Sequence, residues 1–102
     1  MKMDYFEAMA LARKGKRVQR TAWRSANPGI FVFQRPEDEL PNEVIPNVKS
    51  LPDTTKKVLA ETKKPIFFSA YMCLFNGKTH VINNWQPSEL DRRSNDWVSL
   101  DE

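Results

Sequence analysis

The residue types that could do chemistry in this chain fall in two short runs. In the first, Arg17, Arg20 and Arg24 surround Trp23. Guanidinium forks grip phosphates in charge-assisted pairs worth about 1.5–3 kcal/mol each, and an indole face stacks on a base. In the second, Asn83-Asn84-Trp85-Gln86 sets amide donors and acceptors beside an aromatic ring, with Ser88 and Asp91 just beyond. Amide side chains meet base or ribose edges in paired hydrogen bonds. Each run also has a plainer reading: Trp23 as core, the arginines as a solvated face, Asn83-Asn84 as a turn, and Ser88 with Asp91 as a helix cap.

A catalytic group is harder to find. His80 is the sole imidazole, alternates inside a strand-like run and has no Ser, Cys or acid near it in a catalytic order. Cys73 sits among apolar residues, where thiols are buried and inert. Asp91 and Asp96 could pair as carboxylates, although capping and surface roles are commoner for such residues. Cys, His and carboxylates do not cluster at metal-ligand spacing, and three glycines write neither G-x-G-x-x-G nor a P-loop. The expectation is a binding protein without metal or cofactor, not an enzyme.

Elements must position these residues. Asp4 with Glu7 forms a capping-box-like pair, Phe6, Met9, Ala10 and Arg13 recur at helical spacing, and Gly15 stops the run, which predicts a helix at about Asp4–Lys14. Arg17, Val18 and Gln19 alternate as a strand running towards Trp23. Asn27-Pro28-Gly29 is a turn signal and Ile30–Phe33 a short strand. Pro36, Pro41, Pro46 and Pro52 deny regular structure to most of residues 35–52, a loop long enough to be functional or disordered. Ser50 or Asp53 can cap a second helix running to about Thr62 and closed by Lys63-Lys64-Pro65. Ile66–Phe75, Asn76-Gly77 and Lys78–Ile82 read as a hairpin with a type I′ turn. Trp85-Gln86-Pro87 is a loop, Ser88 with Asp91 a further cap, and Trp97–Leu100 a last strand with Trp97 in the core.

The fold class that follows is α+β: a small antiparallel sheet with an N-terminal helix and a second short helix. With 102 residues, residues 1–102 fit a single domain, and 40% hydrophobic with 11% aromatic residues suffice for a modest core. The longest apolar run, Ile66–Phe75, is half the length of a membrane span, no signal-peptide pattern opens the chain, and a lone cysteine excludes an internal disulfide framework, so a cytoplasmic protein is expected. The net charge of +3 is uneven: residues 1–24 carry seven basic and two acidic groups, whereas residues 35–43 carry one and four. The basic start favours phosphate-bearing partners, but the total is too small to argue for a nucleic-acid coat. Both Ile30–Phe33 and Ile66–Phe75 are apolar on two faces, and strands of that kind are covered on both sides. Two helices cover one sheet face, so another subunit is expected on the other, giving a homo-oligomer.

The run Asn84-Trp85-Gln86-Pro87-Ser88-Glu89-Leu90-Asp91, followed by Ser94-Asn95-Asp96-Trp97, resembles the phage family of second-type Thoeris anti-defence proteins. Phe6-Glu7-Ala8, Gly15-Lys16-Arg17-Val18, Arg20-x-x-Trp23 and Ile45–Pro52 agree with it, while Ala22 stands where some relatives carry Gly. The resemblance implies a homotetrameric α+β sponge that sequesters cyclic ADP-ribose-type signals made by TIR-domain enzymes, in pockets between subunits and without cleaving them. Some relatives also hold cyclic oligonucleotides at a separate site. Under that resemblance the partner is a small nucleotide-derived ligand in the host cytoplasm, with no membrane and no nucleic acid. Trp23 and Trp85 would stack or wall the pocket, Arg17 and Arg20 meet phosphate, and Asn84, Ser88 and Asp91 contact base or ribose. The rival readings are a single-stranded nucleic-acid binder using the Arg17–Arg24 patch and an enzyme that processes ADP-ribose derivatives.

Overall fold

The structure, a computed structural model, describes residues 2–36, 38–40, 49–62 and 66–101. Its elements are α1 (Tyr5–Arg13), β1 (Val18–Arg20), β2 (Phe31–Arg35), β3 (Asp38–Leu40), α2 (Asp53–Ala60), β4 (Ile66–Phe68), β5 (Tyr71–Phe75), β6 (Ile82–Asn84), α3 (Glu89–Arg93) and β7 (Trp97–Ser99). They divide into two compact units, one holding the residues up to Arg35 and from Tyr71 onward, the other Pro36–Ala70.

In the first unit, α1 begins where the capping pair predicts. The Glu7 N–H donates to Asp4 Oδ1 at 2.8 Å, and the Asp4 N–H donates back to Glu7 Oε1 at 3.3 Å. Gly15, at φ +92, supplies the left-handed residue that ends the helix, and its N–H satisfies the Ala12 carbonyl at 3.0 Å. Ala8, Met9 and Ala12 are buried, the i, i+1, i+4 face that α1 lays on β1, β2 and β7.

The sheet is antiparallel throughout in the order β6-β5-β2-β1-β7. Register sorts the side chains. Val18 faces Val32, Val32 faces Leu74 and Leu74 faces Asn83, so these share one face. That face carries the core of Ala8, Met9, Ala12, Val18, Val32 and Trp97. Phe31, Phe75 and Ile82 form a rung on the opposite face, with Phe33, Cys73 and Asn84 on the next. Met3 caps the β7 edge, exchanging backbone hydrogen bonds with Trp97 at 2.7 and 3.2 Å.

Several expectations shift. The strand expected to run towards Trp23 stops at Arg20, where Thr21–Trp23 turns as a 3₁₀ helix. The short strand before the proline-rich stretch covers Phe31–Arg35 instead of Ile30–Phe33. The hairpin exists, since β5 pairs with β6, but its type I′ turn does not. A loop from Asn76 to Val81 replaces it, opened by an Asx turn in which Asn76 Oδ1 accepts from the Lys78 and Thr79 N–H groups at 2.9 and 3.2 Å. Among the described residues positive φ belongs to Gly15 and His80, not to Asn76 or Gly77. Gly77 answers a packing demand instead: a Cβ there would lie 2.6 Å from the Gly29 Cα. His80 is accordingly an exposed loop residue at φ +59, stacked on Phe75, and not a strand residue.

Ile66–Phe75 is not one strand. Its first part pairs with β3 inside the second unit, its last part with β2 inside the first, because the β2 ladder runs out at the Arg35–Tyr71 rung. The second unit contains α2 and the β3-β4 pair; Asp38–Leu40 is a strand inside the stretch that the prolines mark as irregular, and residues 41–48 lie outside the described residues. Neither Ser50 nor Asp53 caps α2. Pro52 holds that position without a side-chain bond, and Asp53 is the first helical residue, where its charge suits the helix dipole. Lys63-Lys64-Pro65 lies outside the described residues. The cap foreseen at Ser88 opens a third helix, α3. The α+β class stands, with a five-stranded sheet, a two-stranded sheet and three α-helices among the described residues. Among the described residues no helix is long and apolar enough to cross a membrane.

Candidate ligand-binding site

Three tryptophans converge where β1, β6 and β7 leave the core face. Trp97 is fully buried, and its Nε1–H donates to the Asp91 carbonyl at 3.0 Å. Trp23 meets it edge to face at 5.2 Å and 79°, Trp85 at 5.9 Å and 73°, and Trp23 and Trp85 lie 6.5 Å apart at 76°. T-shaped contacts of this kind suit the ring quadrupole and hold each plane at a fixed tilt. Trp23 and Trp85 are only half-buried, so each keeps open surface beside a rigid, apolar backing.

Arg20 sits at the end of β1 with 8% of its surface exposed. Its Nε donates to Asp96 Oδ1 at 2.9 Å and an Nη to Asp91 Oδ1 at 3.0 Å, and the guanidinium stands 6.0 Å from the Trp23 ring. Burial works against the charge, but the two carboxylates outweigh it and Arg20 is held more basic than usual. Asp96 likewise lies below the ordinary carboxylate range: burial opposes the charge, while donors from Arg20, Ala22 and Thr21 win. Removing one partner from such a buried set leaves an uncompensated charge and costs about 3–5 kcal/mol.

Asp91 and Ser88 form a capping box on α3. The Asp91 N–H donates to Ser88 Oγ at 3.1 Å and the Ser88 N–H to Asp91 Oδ2 at 3.0 Å. Asp91 is buried, with one oxygen on the cap and the other on Arg20, whereas Ser88 is exposed. Five of the residues singled out from the sequence, Arg20, Trp23, Trp85, Ser88 and Asp91, are thus linked by direct contacts.

Arg17 and Asn84 fall elsewhere. Arg17 lies across the Phe31 ring at 5.4 Å and forks onto Asp101, with Nη2 to Oδ1 at 2.7 Å, Nε to Oδ2 at 3.1 Å and its backbone N–H to Oδ2 at 2.8 Å. Those donors lower the Asp101 carboxyl to about 2 against an opposing effect of desolvation, with lesser help from the positive charges of Arg17 and Lys16. Arg17 also lines an open groove of about 320 Å³ with Phe31, Phe33, Phe75 and Ile82. Phe31 packs on Phe75 at 5.2 Å and on Phe33 at 5.8 Å. Asn84 is exposed on β6 opposite Cys73, on this same sheet face.

Sequence reasoning missed the grouping of Asp96 with Arg20 and the pairing of Asp101 with Arg17. Asp91 and Asp96 are visible in the sequence as a carboxylate pair, but nothing in their spacing names Arg20, more than 70 residues away, as the cation they share. Nothing local marks Asp101, which meets Arg17 across 84 residues. Arg24 donates to Gln19 Oε1 at 2.7 Å, and Gln19, buried, donates to the Ile30 carbonyl at 2.8 Å. Among the described residues no group of three or more His, Cys, Asp or Glu could hold a metal ion.

The family described as Tad2-like, Thoeris anti-defense 2-like domain, matches residues 3–100 of the chain. No curated protein matches.

Proposed function

The chain belongs to the Thoeris anti-defense 2-like domain family, and from that premise we propose that it is a phage anti-defence sponge: it sequesters cyclic ADP-ribose-type signals, such as a glycocyclic ADP-ribose, and releases them chemically unchanged. The observation that carries this reading is the Trp23–Trp85 pair, two half-open indoles tilted by a buried third. Such rings suit an adenine, and sequestration asks for affinity without chemistry. A ligand of about 35 non-hydrogen atoms at ~0.3 kcal/mol each reaches about −10 kcal/mol, a Kd of tens of nanomolar.

Phosphate contact falls to Arg17, not Arg20. The Arg20 charge is already met by two carboxylates, of buried Asp91 and partly buried Asp96, whereas Arg17 keeps 46% of its side chain exposed and is ion-paired, among the described residues, with Asp101. Arg17 and Asn84 lie on the sheet face that α1 leaves open, and the Trp pair stands on the other. A pocket using both sets is assembled between copies: the Phe31–Phe33–Phe75–Ile82 face meets a neighbour in a homotetramer, and Arg17 and Asn84 of one copy reach a ligand stacked on Trp23 and Trp85 of another. The host cytoplasm is where such signals circulate.

The test is recovery. Purified protein incubated with glycocyclic ADP-ribose, freed of unbound ligand and then heat-denatured is expected to release the ligand at its original mass. A changed mass would make the protein an enzyme, and ligand left in solution at micromolar protein would end the sponge reading.

A further inference from the structure

We infer that Asp96 is a positioning residue for ligand capture, one that sets the tilt of Trp23 without touching the ligand itself; the inference rests on the sponge reading above.

Trp23 is the last residue of the Thr21–Trp23 turn, and a single side chain gathers the turn's donors. Asp96 Oδ1 accepts from Arg20 Nε at 2.9 Å. Oδ2 accepts from the Ala22 N–H at 3.0 Å and the Thr21 hydroxyl at 3.2 Å. The Asp96 carbonyl adds a fourth bond, from the Thr21 N–H at 3.0 Å. Asp96 therefore grips three consecutive residues, Arg20, Thr21 and Ala22, immediately before Trp23. The turn has no side-chain cap of its own from Arg20, the residue at its start. A carboxylate brought in from across the sheet, next to Trp97 in sequence, does that work.

The same residue thus fixes two rings at once. Trp97 follows it directly, and Trp23 ends the turn it holds, so the 5.2 Å, 79° contact between the rings inherits its geometry from Asp96. Only a carboxylate fits. Both oxygens face donors, and an amide in either orientation would turn its NH2 against the Arg20 Nε–H or the Ala22 N–H.

The experiment compares wild type, Asp96→Asn, Trp23→Ala and the double variant, reading glycocyclic ADP-ribose affinity, near-UV circular dichroism and far-UV circular dichroism. Asp96→Asn is expected to lose about tenfold or more in affinity and to change the near-UV tryptophan signal while keeping the far-UV spectrum. In the Trp23→Ala background the same substitution is expected to cost nothing further, because its effect passes through Trp23. Thr21→Val, which removes one donor, guards against an Asp96→Asn variant that does not fold; it should shift both readouts in the same direction by less. An unchanged affinity in folded Asp96→Asn, an equal loss in both backgrounds, or an unmoved affinity and near-UV signal in Thr21→Val would overturn the inference. A wild-type protein that captures no ligand would overturn the sponge reading itself, and the near-UV comparison would still decide whether Asp96 sets the Trp23 tilt.

Discussion

Trp85 and Trp23 differ in what holds them. Trp23 hangs from a turn bound by four hydrogen bonds to Asp96, whereas Trp85 is tied by its backbone N–H to the Met72 carbonyl at 2.9 Å and packs on Trp97. Trp85→Ala therefore removes stacking surface without undoing a polar network, and a loss of about 1–3 kcal/mol in ligand affinity is expected by calorimetry, with the fold intact. Charge at this scale has a pH signature. The Asp101 carboxyl is lowered to about 2 on folding, and Asp96 is lowered as well. A carboxyl depressed in the folded state stabilises fully above its unfolded value of about 3.9 and loses that contribution as the pH falls through its folded value. The urea midpoint should thus be flat above about pH 5 and fall steadily from pH 4 towards 2. Asp101→Asn should shrink the slope, leaving the part that Asp96 supplies; an unchanged slope would show that the Arg17 contact carries no linkage.

At the scale of elements, what could be read beforehand was what depends on neighbours in the chain. The α1 boundaries, the Ser88–Asp91 cap and the last strand follow from capping geometry and alternation, which act within a few residues. The errors came where a distant partner decided. Asn76-Gly77 has the composition of a tight turn, yet Asn27 Nδ2 donates to Asn76 Oδ1 at 2.8 Å and Gly29 backs onto Gly77, so the loop is shaped from 49 residues away. The apolar run Ile66–Phe75 looks continuous but breaks because its two ends pair with strands of different units. The candidate site shows the same division: the residue types were legible, whereas the assignment of Arg20 to carboxylates and Arg17 to Asp101 needed the register of β1 against β7. That register has a consequence for the second unit. β2 and β5 end opposite each other at Arg35 and Tyr71, and among the described residues the buried core cluster lies in the first unit. Replacing residues 36–70 by a two-residue Asn-Gly turn should then preserve the five-stranded sheet, seen as retained amide protection at Val18, Val32 and Leu74. Loss of that protection would mean that the first unit does not stand alone.

For the whole molecule the decisive feature is a sheet with one face under α1 and the other lined by Phe31, Phe33, Phe75 and Ile82, the last 58% exposed. If copies meet there, a charge on that face should separate them. Phe75→Glu is expected to reduce the light-scattering mass from a tetramer towards a monomer and to abolish ligand capture with it; an unchanged mass would place the interface elsewhere. Pockets shared between copies, as proposed above, make a sharper forecast. Arg17→Ala and Trp85→Ala proteins, each weak alone, should regain a fraction of full-affinity sites when unfolded and refolded together, since some mixed pockets draw both intact groups from different copies. No recovery on mixing would argue that each pocket belongs to a single chain.

The pairing of β1 with β7, sealed by Met3 on the outer edge, also bears on biosynthesis. Helix α1 is made early, but Trp97, which shares its core, lies in β7 and follows β1 to β6 in the chain, so the core cannot close before β7 has been made. Folding should therefore wait for β7 and be slow, as befits contacts of long sequence separation. A ribosome-stalled chain truncated before residue 97 should remain sensitive to protease.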